Sequence, residues 1–260
     1  MTRRIYRNDP IQEAVCEFRF RSPQQGWSLL PGQLFDRLAD EYPAEPGQDL
    51  PQVMPFAEGL PNALPLGIQI AIGGAPPGRV RLANPDATRS LLIGQGAFSV
   101  HAGRPYPLWE GFSASIERAL AAFLDVHAAF DIDRIGLRYI NRIEGEGTAN
   151  EVERFFNVQS LHFPGVDTEL QNFLGRSEQL LEHDPNRLVI ATFASAPATE
   201  GRSAFILDLD VVAQNLSGVS TLADALSIVA QLRQDEKAVF EASITDEARH
   251  DLFGGFEDRS

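Results

Sequence analysis

The sequence predicts an α+β protein: a mostly antiparallel sheet from two strand-meander-plus-long-helix halves, with the helices on one sheet face. Three observations carry that expectation. Apolar residues alternate at period two in several short runs, long amphipathic stretches recur at period 3.6, and Gly- and Pro-rich turns separate the runs. The order also repeats: strands between Gly67 and His101 precede a helix from about Leu108 to His127, and strands between Glu178 and Val212 precede one from about Leu222 to Ser243. Residues 1–147 and 148–260 are expected as the two halves of one compact unit, with separate sandwich-like domains as the alternative.

In the first half, Ala14, Cys16, Phe18 and Phe20 alternate with Glu13, Val15, Glu17 and Arg19, as a half-buried strand requires. Pro31 to Tyr42 then reads as a helix with Leu34 and Leu38 on its buried side. Six prolines between Pro43 and Pro65 forbid a regular element interior, so this stretch reads as a long loop. Its Met54, Phe56 and Leu60 are too apolar for a free linker, which suggests docking on the fold or a partner-binding arm. Strands follow at Ile68 to Ile72, at Val80 and Leu82, at Leu91 to Ile93 and at Phe98 to Val100. Gly73-Gly74 lacks the Lys-Ser or Lys-Thr of a phosphate loop and reads as a hairpin connection. Trp109, Phe112, Ile116, Leu120 and Phe123 then form a broad helical stripe of the kind that fills a core.

The segment Arg134 to Ile143 is the sharpest strand. Ile135, Leu137, Tyr139 and Ile143 point one way, while Arg134, Arg138 and Arg142 point the other in four-residue steps of roughly 13 Å. In the second half, Phe205, Leu207, Leu209 and Val211 occupy one strand face and Asp208 and Asp210 the other. Cross-strand Arg–Asp pairing is the simplest account of these faces. An anion-binding site made by Arg134, Arg138 and Arg142 is the functional alternative, and a metal or acid–base site at the two aspartates lacks further ligands in sequence. Thr221 with Asp224 three residues on signals the start of the last long helix. Leu222, Leu226, Val229, Leu232 and Phe240 form its buried face, and Glu236 interrupts the stripe as a candidate partner contact. A further helix starts at Thr245 and stops at Gly254-Gly255.

Composition narrows the function classes. The net charge is −14, and it is concentrated: the first 143 residues hold 14 Arg against 15 Asp or Glu, the rest 8 Lys or Arg against 21. Such an acidic second half disfavours nucleic acid; the plainer reading is that it keeps the protein soluble, and the functional one is a basic protein partner, with Asp246 and Asp251 as further contacts. Lone Cys16 excludes a disulfide framework and falls on an apolar strand face as an inert thiol. No apolar run approaches the ~20 residues of a membrane span, so the expectation is a cytoplasmic protein with no membrane contact. Asp246 and His250 at helical spacing read as a solvated face, and no metal or cofactor is implied. No nucleophile elbow, dinucleotide fingerprint or phosphate loop is found, which leans away from an enzyme.

The segments Pro10 to Phe20, Ile135 to Ile143, Leu207 to Asp210 and Ile244 to Glu247 resemble a sporadically distributed family of uncharacterised bacterial proteins of about this length. The likeness spreads along nearly the whole chain and implies no activity or catalytic residue. Sporadic distribution suggests accessory genes, including defence and toxin–antitoxin loci. The leading expectation is therefore a non-enzymatic protein-binding component, accessory, immunity or antitoxin-like, with self-association compatible. The alternative is a binder of small apolar or anionic ligands in a sheet–helix pocket.

Overall fold

The computed structural model describes residues 3–21, 27–43, 47–48, 79–127, 131–146, 152–157, 165–197 and 202–259. Its elements run, in chain order, β1 (Arg3–Tyr6), β2 (Ile11–Phe20), α1 (Leu30–Leu38), β3 (Gly47–Gln48), β4 (Val80–Ala83), β5 (Arg89–Gly94), β6 (Ala97–Gly103) and α2 (Leu108–Val126). They continue with β7 (Ile132–Glu146), α3 (Val152–Phe155), β8 (Leu174–Leu181), β9 (Asp184–Ala196), β10 (Arg202–Ala213), α4 (Leu222–Ser243), a π-helical turn at Ala248–Leu252, and β11 (Phe256–Arg259). The α+β class is the one the periodicities predict.

One antiparallel sheet holds most of the strands, in the order β3-β4-β5-β6-β2-β7-β10-β9-β8. The central pairs are long: β2 lies on β7 from Ile11 to Phe20, and β7 pairs with β10 from Ile135 to Glu146. Strands β1 and β11 form a separate two-stranded ribbon that joins the first and last described elements.

Alternation decides which face is covered. Ala14, Cys16 and Phe18 of β2, Phe98 and Val100 of β6, and Ile135 and Leu137 of β7 are fully buried beneath the helices. Helix α2 adds Phe112, Ile116, Leu120 and Phe123 to the same core, each fully buried. Burying side chains of that size stabilises by about 1.5–3 kcal/mol apiece, far more than helix propensity supplies. A second cluster lies toward the ends of β7 and β10, where Ile143, Phe205, Leu207 and Leu209 meet Phe155, Phe156, Phe240 and Phe253. Tyr139 belongs to the first cluster and Tyr6 packs on the second, so the boundary between the clusters falls beside α4.

Several local expectations are met. Thr221 accepts the Asp224 amide at 3.1 Å as the cap of α4, and Thr245 likewise accepts the amide of Ala248 at 3.2 Å. The helix that Thr245 opens is α-helical at Asp246 and Glu247 and continues as a π-helix over Ala248–Leu252. Gly254 and Gly255 end it at φ 68° and 71°, backbone angles that side-chain-bearing residues rarely adopt, and so aim β11 back at β1. Helix α1 stops earlier than expected, because the residue before Pro43 is disfavoured in helical conformation. Only a single turn remains, in which the amides of Glu41 and Tyr42 bond the Leu38 carbonyl. The strand at Ile68 to Ile72 lies outside the described residues, as does nearly all of the Pro43 to Pro65 loop. Within that loop Gly47–Gln48 pairs with β4, a contact no local pattern announces.

Candidate functional site

The face of the sheet away from the helices carries a ladder of charges. Arg138 donates to Asp208 through Nε at 2.7 Å and Nη2 at 2.5 Å, a bidentate pair. Arg134 donates to Glu17 at 2.9 Å and to Asp210 at 3.3 Å, and Arg142 to Glu144 at 2.7 Å and the Pro197 carbonyl at 2.6 Å. Asp210 lies directly opposite Arg138 in the register, yet Arg138 pairs with Asp208, one same-face step along, and Asp210 is reached by Arg134, two steps from its own opposite position. A twisted antiparallel pair brings such diagonal neighbours within reach of long side chains. Farther along, Glu13 meets His101 Nδ1 at 2.8 Å, and His101 Nε2 meets Ser99 at 2.9 Å. Burial pushes the Glu13 carboxyl up, but His101, Arg138 and Arg81 together more than offset it and hold the group below the usual range. The three arginines singled out in the sequence thus share one face, each held by a carboxylate.

The other feature is a cavity of about 440 Å³ on the helix side, between α4, the start of α2 and the core face of β7. Helix α4 supplies Arg233, Glu236, Lys237, Phe240 and Glu241, whose spacing puts them on one helix face. From Arg233 to Glu241 this face runs about 12 Å at 1.5 Å per residue, so the cavity is a trough. Its Arg233 end has aromatic walls: the guanidinium lies over Tyr139 at 4.9 Å and Trp109 at 5.6 Å. Tyr106 and Tyr139 share a hydroxyl–hydroxyl bond of 2.9 Å beside it. At the Glu241 end Tyr6 donates to both Glu241 oxygens, at 2.9 and 3.0 Å, and stacks on Phe256 at 4.6 Å.

Two polar interruptions create this space. On β7 the apolar side breaks at Asn141, which is 1% exposed and donates to the Leu207 carbonyl at 3.1 Å. On α4 the stripe breaks at Glu236, which is 2% exposed and accepts a hydrogen bond from Arg233. Both line the cavity. Leu108, another lining residue, sits at φ 62°, a left-handed conformation costing a leucine roughly 1–2 kcal/mol. Strain of this kind concentrates at binding and catalytic sites.

Electrostatics single out the Arg233–Glu236 pair. Burial pushes the Glu236 carboxyl up to about 7 although Arg233 pulls the other way. Burial also raises Asp9, a further lining acid, above the usual range. It pushes the Tyr106 hydroxyl up to about 12. Arg233 itself donates one hydrogen bond among the described residues, to Glu236, and a guanidinium carries five N–H donors. Arg233 is itself one of the residues that line the cavity.

Glu236 is therefore in the cavity wall and not on an open surface, because the α4 face that carries it packs inward. Asp246 and Asp251 do reach solvent: the Asp246 side chain is 92% exposed with Arg249 beside it, and Asp251 lies 3.7 Å from Arg154. Met54, Phe56 and Leu60 lie outside the described residues. Cys16 is fully buried, and burial raises its thiol far above the usual range, as an inert core group requires. Among the described residues no group of three His, Cys, Asp or Glu side chains is placed to hold a metal ion, and no helix is long and apolar enough to cross a membrane. The sequence reading missed Arg233, Trp109 and Tyr106 as a constellation. The available signal was the pair of polar breaks, Asn141 in a strand stripe and Glu236 in a helix stripe. No family model matches the chain, and no curated protein matches it.

Proposed function

We propose that the protein binds a small ligand carrying a carboxylate on a flat apolar body, in the trough between α4 and β7. The observation that carries this reading is Arg233, a largely enclosed guanidinium stacked on Trp109 and Tyr139, with donors left over, in the lining of a cavity of drug-like size. A bidentate carboxylate suits such a fork, and aromatic walls suit a flat body. The lining acids Asp9, Glu110, Glu236 and Glu241 outnumber Arg233 and Lys237, which disfavours polyanions such as nucleotides. The partial protonation of Glu236 near neutrality leaves Arg233 charge to share with one carboxylate. On this reading the two meander-plus-helix halves share one sheet, and the ligand lies against helices from both.

The test uses benzoate and indole-3-acetate as probes, followed by calorimetry and thermal shift. Binding should raise the melting temperature in proportion to occupancy. It should be lost in Arg233→Gln and weakened in Trp109→Ala. Failure of every aromatic carboxylate to bind, or binding untouched by Arg233→Gln, overturns the assignment.

A further inference from the structure

We propose that two copies of the chain associate edge to edge through β8, antiparallel about a two-fold axis at Ser177. Strand β8 ends the large sheet, with β9 as its neighbour on one side. The Ser195 amide donates to the Phe173 carbonyl at 3.0 Å, which fixes the phase of that ladder. By alternation Phe173, Gly175, Ser177 and Gln179 spend their backbone groups on β9, while Leu174, Arg176, Glu178 and Leu180 direct theirs outward. That edge is solvent-exposed: Leu180 is 56% exposed, and the Arg176 and Glu178 side chains are 43% and 55% exposed. A row of amides and carbonyls with no strand partner among the described residues, flanked by an exposed leucine, is a template for another strand.

Charge selects the occupant and its register. With the axis at Ser177, Arg176 lies opposite the second copy's Glu178, Glu178 opposite its Arg176, and Leu180 opposite its Leu174. All four outward-directed residues of each copy then pair, forming about eight backbone hydrogen bonds. Moving the axis to Arg176 or to Glu178 sets like charges directly against each other, which is destabilising. A strand that answers its own sequence this way is self-complementary, the condition for an isologous interface. The Arg176–Glu178 contact of 2.9 Å within one chain is exposed and readily exchanged for the pair across the axis. The contact is small beside standard interfaces, so association should be reversible and concentration-dependent.

Sedimentation over a concentration series into the hundred-micromolar range tests this on the full chain. The expected particle approaches twice the 28.6 kDa of one chain. Arg176→Glu and Glu178→Arg should each weaken self-association by about tenfold or more. An equimolar mixture of the two variants should dimerise again, because each supplies the charges the other lacks, and the double exchange in one chain should restore the homodimer. Glu178→Pro should give a monomer that melts like the wild type, since its lost N–H points away from β9. A wild type that stays monomeric throughout, single variants that dimerise unchanged, or a mixture that stays monomeric would each overturn the proposal. None of these outcomes depends on the ligand trough.

Discussion

At Glu236 burial and ion pairing act in opposite directions, and burial wins. The carboxyl rises from 4.5 to about 7 in the folded chain, so between those values the folded state holds a proton that the unfolded state has released. Stability should therefore fall as pH rises through this window, by up to ~3 kcal/mol at the upper end. The Arg233 guanidinium and Lys237 moderate the loss, and Glu241 adds to it. Asp9 and Asp210 are raised by burial and tilt the curve the same way, so only a difference isolates the one group. Glu236→Gln should flatten the dependence, and urea melts of both chains between about pH 5 and pH 8 would show it. Parallel curves would mean that Glu236 keeps an ordinary affinity for its proton. The sequence exposed this residue only as a gap in the α4 stripe. A gap of that kind reads equally well as a solvent contact, because whether a helix position faces water or a cavity is decided by the element across from it.

Strands β7 and β10 carry the clearest structural lesson of the sequence. Arginines spaced by four on one and Asp208 and Asp210 on the other were legible as matching polar faces, and the register indeed places the strands side by side. The diagonal choice of partner was not legible, since it depends on sheet twist and on Glu17 arriving from β2 to share Arg134. Burial lowers the Arg138 affinity for its proton, and the hydrogen bond and charge of Asp208, together with the charges of Asp210 and Glu13, more than restore it. The pair therefore compensates two charges that the sheet has partly desolvated, with side chains 25% and 9% exposed. Arg138→Ala leaves Asp208 beneath the sheet surface without that partner and should cost ~1–3 kcal/mol in denaturant melts. Replacing Arg138 and Asp208 together by leucine should cost less than Arg138→Ala alone, because no charge is stranded. Equal losses in the two variants would assign the effect to packing and not to the ion pair.

On the scale of the whole molecule, the first and last described strands meet: Arg3 pairs with Arg259 and Tyr6 with Phe256 in the β1–β11 ribbon. Nothing local foretells this contact, since neither segment alternates strongly and the partners are a whole chain apart. Its closure also finishes the trough, because Tyr6 caps the Glu241 end while stacking on Phe256 and packing on Phe253. Contacts this distant in sequence meet the largest loop-closure cost, so the ribbon should be among the least protected parts of the fold. Deleting Phe256 to Ser260 should strip hydrogen-exchange protection from Arg3 to Tyr6 while β2, β7 and β10 keep theirs. In a double-mutant cycle, Tyr6→Ala and Phe256→Ala should couple by about 0.5–1.5 kcal/mol, the range of a stacked aromatic pair. Additive losses, or protection of Arg3 to Tyr6 that survives the deletion, would show that the two termini hold their places independently and that the end of the trough is set by α4 alone.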